Sequence, residues 1–270
     1  PDSVTSIGED AFEGCTNITT ATMSAIAIDD IPQDNLQTVI ITSGDSIGRW
    51  AFQNCTSLES ITIPDSMTSI GFLAFSGCDS LESIYYQGDI ASWCGISGLD
   101  KLMEPGRTLY INGEELSGEL VIPDGVTAIP AMAFYCCDLI PSVTISDDLS
   151  EIGSSAFYGC SSIESVTIGN GVTVIPVMAF HGCGLITSII IPDSVTFIGD
   201  YAFNGCGSLD VVFYGGTESD WGNMDIGSRN AYLTDATRYY YSENQPTEEG
   251  NFWHYDTTGV TPVIWTKETT

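Results

Sequence analysis

The chain is short of bases. Of its 270 residues only 6 are Lys or Arg, against 36 Asp or Glu, and the formal net charge is -30. Nucleic acid is excluded as a partner, because phosphate recognition requires clustered Lys and Arg. Anionic membrane surfaces are excluded on the same grounds. A surface of one sign keeps molecules apart by self-repulsion, and few basic residues leave trypsin-like proteases little to cut. No apolar run approaches the ~20 residues of a membrane-spanning helix, so no membrane insertion is expected. Histidine is nearly absent too, with 2 copies. Without a His cluster or a Cys-x-x-Cys pair, a structural zinc site lacks its ligand spacing.

What the chain has in quantity is a repeated phrase. Ala133-Phe134, Ala156-Phe157, Ala179-Phe180 and Ala202-Phe203 recur every 23 residues, each Phe followed three positions later by Cys137, Cys160, Cys183 or Cys206. The same phrase at Phe12, Phe52 and Phe75 makes seven copies. A fixed period of this size is the signature of a solenoid, in which each coil buries its apolar face by stacking on the next. In the copy beginning at Ile61, Ile61 and Ile63 alternate with Thr62, as in a short strand with one face buried. Pro64 ends that strand, Asp65-Ser66 turns, and Met67 and Ile70 face the core from the opposite wall. Parallel strands are expected near 21-23, 39-41, 61-63, 84-86, 120-122, 143-145, 166-168, 189-191 and 212-214, in one ribbon.

The phrases Ile191-Pro-Asp-Ser-Val-Thr-Phe-Ile-Gly199 and Ala202-Phe-Asn-Gly-Cys-Gly-Ser-Leu209 resemble the BspA-like leucine-rich repeats of bacterial surface proteins. The resemblance implies a right-handed leucine-rich-repeat solenoid with one parallel sheet on the concave face and short strands or helical turns on the convex side. It also implies an extracellular, cell-surface location and an adhesin or binding role. Similar proteins occur in some parasitic protists as well as in host-associated bacteria.

The period divides the chain into a solenoid, 1-214, with irregular coils at 21-38 and 87-119, and a segment 215-270 holding a variant coil and a C-terminal capping hairpin. The two longer breaks echo each other. Trp93 and Trp221 each stand nine residues after a strand start, at Ile84 and Val212, and each segment later reaches an aromatic strand, at Tyr110 and at Tyr239 to Tyr241. Asn112-Gly113 followed by Leu120 to Ile122 suggests a hairpin-like return. Phe252 to Tyr255 and Val260 to Trp265 read as a terminal hairpin. The chain opens on Pro1 with no signal segment, as in a mature form or an excised fragment. Pro1-Asp2-Ser3-Val4 enters the repeat just after a strand, so an open solenoid edge is expected there, with end-to-end self-association as its consequence.

The repeat absorbs most candidate chemistry. Seven of the nine cysteines share one position and read as a buried ladder; Cys94 and Cys136 lie off it and could pair with each other. Gly44-Asp45-Ser46-Ile47-Gly48 fits the nucleophile-elbow pattern, but it falls on the turn repeated at Asp65-Ser66 and Asp193-Ser194. His181 shares a slot with Tyr135, Tyr158 and Asn204 and reads as a solvated turn residue. Asp65, Asp124, Asp147, Asp148 and Asp193 stack along one edge, either as solvated turns or as a row for Ca²⁺. No catalytic residue, metal site or cofactor is assigned. The outward strand positions are left, and Thr62, Tyr85, Thr144, Thr167, Ile190 and Phe213 are the ligand-binding candidates on the concave face. The expected function is a non-enzymatic extracellular module binding a protein or glycan on host or neighbouring cells, through that face or the irregular coils. The alternative is a structural spacer or self-associating surface fibre.

Overall fold

The computed structural model describes residues 6–8, 11–259 and 261–266. Pro1 to Val4, where the open edge was expected, and Val260 of the terminal hairpin lie outside the described residues. The chain divides into two compact units, the first comprising 1-116 with 129-137 and the second 117-128 with 138-270.

All nine expected strands form, and each is paired in parallel with its neighbour. They fall into two sheets, however. The first unit carries Thr20–Ser24, Thr38–Ser43, Ser60–Ile63, Ser83–Tyr86 and Thr108–Ile111, and ends on Glu114–Glu115. The reason lies at Asn112-Gly113. Both take positive φ, 53° and 88°, and turn the chain into an antiparallel hairpin of Thr108–Ile111 with Glu114–Glu115. The return strand is therefore Glu114–Glu115 and not Leu120–Ile122, which instead opens the second sheet beside Ser142–Ile145. That sheet continues through Ser165–Thr167, Ser188–Ile191, Val211–Tyr214, Thr237–Tyr241 and Phe252–Tyr255, closing on the antiparallel Pro262–Ile264. On the far side of the coils, two-residue strands such as Ser46–Ile47 and Val174–Ile175 pair in parallel with their counterparts.

Between the two walls, the Ala-Phe-x-x-Cys phrase builds a second ladder. Phe52, Phe75, Phe157, Phe180 and Phe203 are fully buried, and consecutive rings stack at 5.3, 5.1 and 5.5 Å. Each such ring contributes about 1.5–3 kcal/mol by burial. The phrase also links coils by hydrogen bonds. The amides of Phe52, Phe157 and Phe180 donate to the carbonyls of Ala74, Ala179 and Ala202 one coil on, at 2.8–2.9 Å. In return the thiols of Cys78, Cys183 and Cys206 donate to the carbonyls of Phe52, Phe157 and Phe180, at 3.0–3.2 Å. That reciprocal pair gives the cysteine slot its physical reason. All nine cysteines are thiols, Cys94 and Cys136 included. Burial pushes the Cys94 and Cys206 thiols up to about 12, so neither ionises near neutrality. Cys15 departs from the ladder and is exposed, because the shortened coil 21-38 after it brings no Ala-Phe pair to cover it.

Where the phrase is missing, a side chain takes over its hydrogen bonds. In 21-38, Gln33 donates Nε2 to the Ala51 carbonyl at 2.7 Å and accepts the Cys55 thiol on Oε1 at 3.2 Å. In 87-119, the indole N–H of Trp93 donates to the Ala133 carbonyl at 2.9 Å. In the variant coil after 215, Asn230 accepts the Phe203 amide on Oδ1 at 3.0 Å and donates Nδ2 to Gly199 and Gly227. Each of the three breaks thus satisfies backbone groups that would otherwise be buried without partners.

The two longer breaks share one local design. Asp89 with Ser92 and Thr217 with Asp220 form capping boxes that open the helices α1 (Ile90–Cys94) and α2 (Glu218–Asn223). The helices seat Trp93 against Tyr86 and Trp221 against Tyr214, both at 5.3 Å.

Candidate binding face

Strand alternation turns one row of side chains in each sheet away from the core. In the first unit the register aligns Thr22, Ile40, Thr62, Tyr85 and Tyr110. Thr62, Tyr85 and Tyr110 are partly exposed. The rings of Tyr85 and Tyr110 stack at 4.5 Å with a 24° interplanar angle, an aromatic platform at the end of the row beyond Thr62. Tyr110 faces Glu115 across the hairpin. Desolvation in the stack, and then the Glu115 charge, raise the Tyr110 hydroxyl above its ordinary value, so it stays a neutral donor. Tyr110 is missing from the sequence-derived candidates, although an aromatic strand was expected there; the structure pairs it directly beside Tyr85.

In the second unit the matching row is Val121, Thr144, Thr167, Ile190, Phe213 and Tyr239. Thr144 and Thr167 are partly exposed, and Thr144 donates to Glu119 at 3.1 Å. Ile190 and Phe213 are not on an open face: they are only 7% and 8% exposed. Trp253 of the terminal hairpin packs 5.5 Å from the Phe213 ring, buried itself, and its indole N–H donates to the Tyr214 carbonyl at 2.8 Å. Tyr239 and Tyr255 pack against the same cluster. The hairpin was expected to close an edge; it also covers part of the sheet. The sequence signal was the apolar pair itself, since Ile190 and Phe213 follow the hydroxylic Thr144 and Thr167 in the row. Beside α2 a surface hollow of about 760 Å³ opens between Glu218, Arg238, Tyr241, Glu248 and Glu249.

The remaining chemical candidates lie within the scaffold. Ser46 pairs in register with Ser69 as a repeat residue. His181 is half-buried, not a freely solvated turn, because it stacks 4.6 Å from Tyr158 with Tyr201 at 6.5 Å on another side. His254 lies 3.9 Å from the Trp265 ring, its Nδ1 donating to the Tyr255 carbonyl at 2.6 Å. Two of the edge carboxylates tie coils together, Asp147 accepting the Asn170 amide at 2.7 Å and Asp148 the Gly125 amide at 2.8 Å.

Coils of one strand each, stacked in parallel on a shared ladder, define a leucine-rich-repeat protein. The family described as BspA type leucine rich repeat region matches six copies, over residues 32–94 and 112–223, and the chain belongs to that family. Among solved structures, a leucine-rich repeat protein of T. pallidum is 24% identical with a TM-score of 0.42, over 64% of this chain and 78% of its own. A leucine-rich cell surface protein of Faecalibacterium prausnitzii is 19% identical with a TM-score of 0.38, over 77% and 86%. The pneumococcal vaccine antigen PcpA is 15% identical with a TM-score of 0.44, over 85% and 69%. No curated protein matches the chain in sequence. No helix among the described residues is long and apolar enough to cross a membrane.

Proposed function

We propose that the protein is a non-catalytic recognition module at the cell surface, binding a protein or glycan on host or neighbouring cells. The observation that carries this reading is the stacked Tyr85–Tyr110 platform, left partly exposed at the end of the Thr62 row. Stacked tyrosines present a large, stiff, amphipathic contact area at small entropic cost. Thr62 and Tyr85 are the contact residues in the first unit, with Tyr110 beside them. Thr144 and Thr167 offer a second, weaker row. Ile190 and Phe213 act beneath Trp253, holding the hairpin on the sheet. Family membership supports the surface location.

A spacer or self-associating fibre is the second reading, favoured by the uniform Phe and Cys ladders. Binding of the fluorescently labelled protein to fixed epithelial cells and to a glycan array separates the two. Recognition predicts that Tyr85→Ala with Tyr110→Ala abolishes binding and leaves the monomer mass unchanged. Unchanged binding sends the function to the spacer.

A further inference from the structure

In a chain with six bases, two of them converge on the same exposed ring. The guanidinium of Arg49 lies 4.7 Å over Trp50 and 5.7 Å from the Phe72 ring, and the ammonium of Lys101 lies 6.0 Å from that same Phe72 ring. Trp50 and Phe72 are each 50% exposed, a large apolar area to leave in water. Arg49 is exposed, and among the described residues no carboxylate lies within ion-pair distance of it. In a chain with 36 acids, that absence leaves a cation available to an outside anion.

The fold delivers these residues from three successive layers. Arg49-Trp50 and Phe72-Leu73 occupy the same two slots of consecutive coils, ahead of Ala51-Phe52 and Ala74-Phe75. Other coils fill the slots with Ala131-Met132, Ser154-Ser155, Val177-Met178 and Asp200-Tyr201, so this position varies while its surroundings repeat. Trp50 and Leu73 both adopt left-handed backbone, with φ of 61° and 56°. Lys101 arrives differently, on the 3-10 turn Leu99–Lys101 of the irregular coil. Ser97 bridges to Ser69, and Gly98, at φ 83°, lies so close that an added Cβ would meet the Ile70 carbonyl oxygen at 2.1 Å. Only glycine permits that approach, and it is what sets Lys101 beside Phe72.

We propose that Arg49, Trp50, Phe72 and Lys101 form a binding site for an acidic polysaccharide, a glycan carrying a carboxylate on each sugar. Charge complementarity selects the anion: Arg49 carries an uncompensated positive charge on a chain of net charge -30, while Lys101 is held in an ion pair with Asp100. Repulsion from the remaining surface is screened beyond a Debye length of about 8 Å at physiological salt, so the local charges decide. The half-exposed rings select the sugar, whose C–H face stacks on an aromatic face while its carboxylate meets Arg49, with the ion-paired Lys101 at the edge of the site. Layers spaced by about 4.8 Å place roughly one sugar ring per coil, whereas an extended acidic peptide repeats on one side only every ~6.8 Å.

Tetragalacturonate, titrated calorimetrically into the full chain, tests the assignment. Saturable binding is expected, weakened about tenfold or more by Arg49→Gln and by Trp50→Leu. The second variant copies the residue that the next coil carries, so folding is preserved, and circular dichroism confirms it. The methyl-esterified oligomer, which lacks the charge, is expected to lose affinity similarly. Absence of binding, binding that survives both variants, or equally tight binding of tetraglutamate overturns the proposal. Tyr85→Ala with Tyr110→Ala leaves tetragalacturonate binding intact, which separates this site from the sheet face.

Discussion

At the scale of single residues, two left-handed positions recur in the coils that carry the Ala-Phe phrase from Phe52 onward. The one ahead of the cysteine holds Gly14, Gly77, Gly159, Gly182 and Gly205, with φ between 71° and 83°. Cys136 sits in this glycine slot at φ 54°, which accounts for its place off the cysteine ladder. Left-handed backbone costs a side chain of this kind about 1–2 kcal/mol. Cys136→Gly is therefore expected to raise stability by roughly 1 kcal/mol, read from the urea midpoint at constant m-value. The opposite outcome is expected of Asn230→Leu. It strands the Phe203 amide and the Gly199 carbonyl inside the protein, at about 1–3 kcal/mol for each unsatisfied group. The Phe and Cys ladder was legible in the sequence because identical side chains at a fixed period can only stack. Gln33, Trp93 and Asn230 were not, because they replace backbone groups with side chains and so share no motif.

At the scale of elements, the terminal hairpin and the capping boxes carry the tests. Trp253→Ala removes the lid from Phe213 and Ile190, with an expected loss of about 3–5 kcal/mol and new dye-accessible apolar surface. Measuring ANS fluorescence alongside the melt checks both. Hydrogen bonds from Ser92 and from Thr217 hold the Asp89 and Asp220 carboxyls below their ordinary value. A carboxyl depressed in the folded state stabilises it fully above the unfolded value and loses that contribution as pH falls through the folded one. The α1 and α2 amides should therefore exchange faster as pH drops below about 4, after correction for intrinsic exchange. Asp89→Asn should flatten that dependence at α1. The strands were readable from alternation, and the duplicated Trp coil from its spacing. The break between sheets was hidden in Asn112-Gly113: the turn was visible, but Glu114–Glu115 as its return strand was not, because two exposed glutamates carry no strand pattern.

At the scale of the whole molecule, a charge of -30 acts on every coil at once. Screening it should stabilise the fold, so melting temperature is expected to rise between low salt and about 0.15 M NaCl, where the Debye length shrinks to ~8 Å. A melting temperature independent of salt would mean that the acids are too dispersed to repel. The repeated coils act as scaffold, and the proposed recognition of a partner by the sheet face rests on the aromatic pair at the end of the first unit's row. In the second unit the hairpin covers Ile190 and Phe213, whereas in the first unit the stacked Tyr85 and Tyr110 stay partly exposed. Hydroxyl-radical footprinting of the protein bound to epithelial cells tests that claim most directly. Protection of Tyr85 and Tyr110, with exposed Tyr232 in the second unit unchanged, is the predicted result; labelling of Tyr85 and Tyr110 identical with and without cells would contradict it.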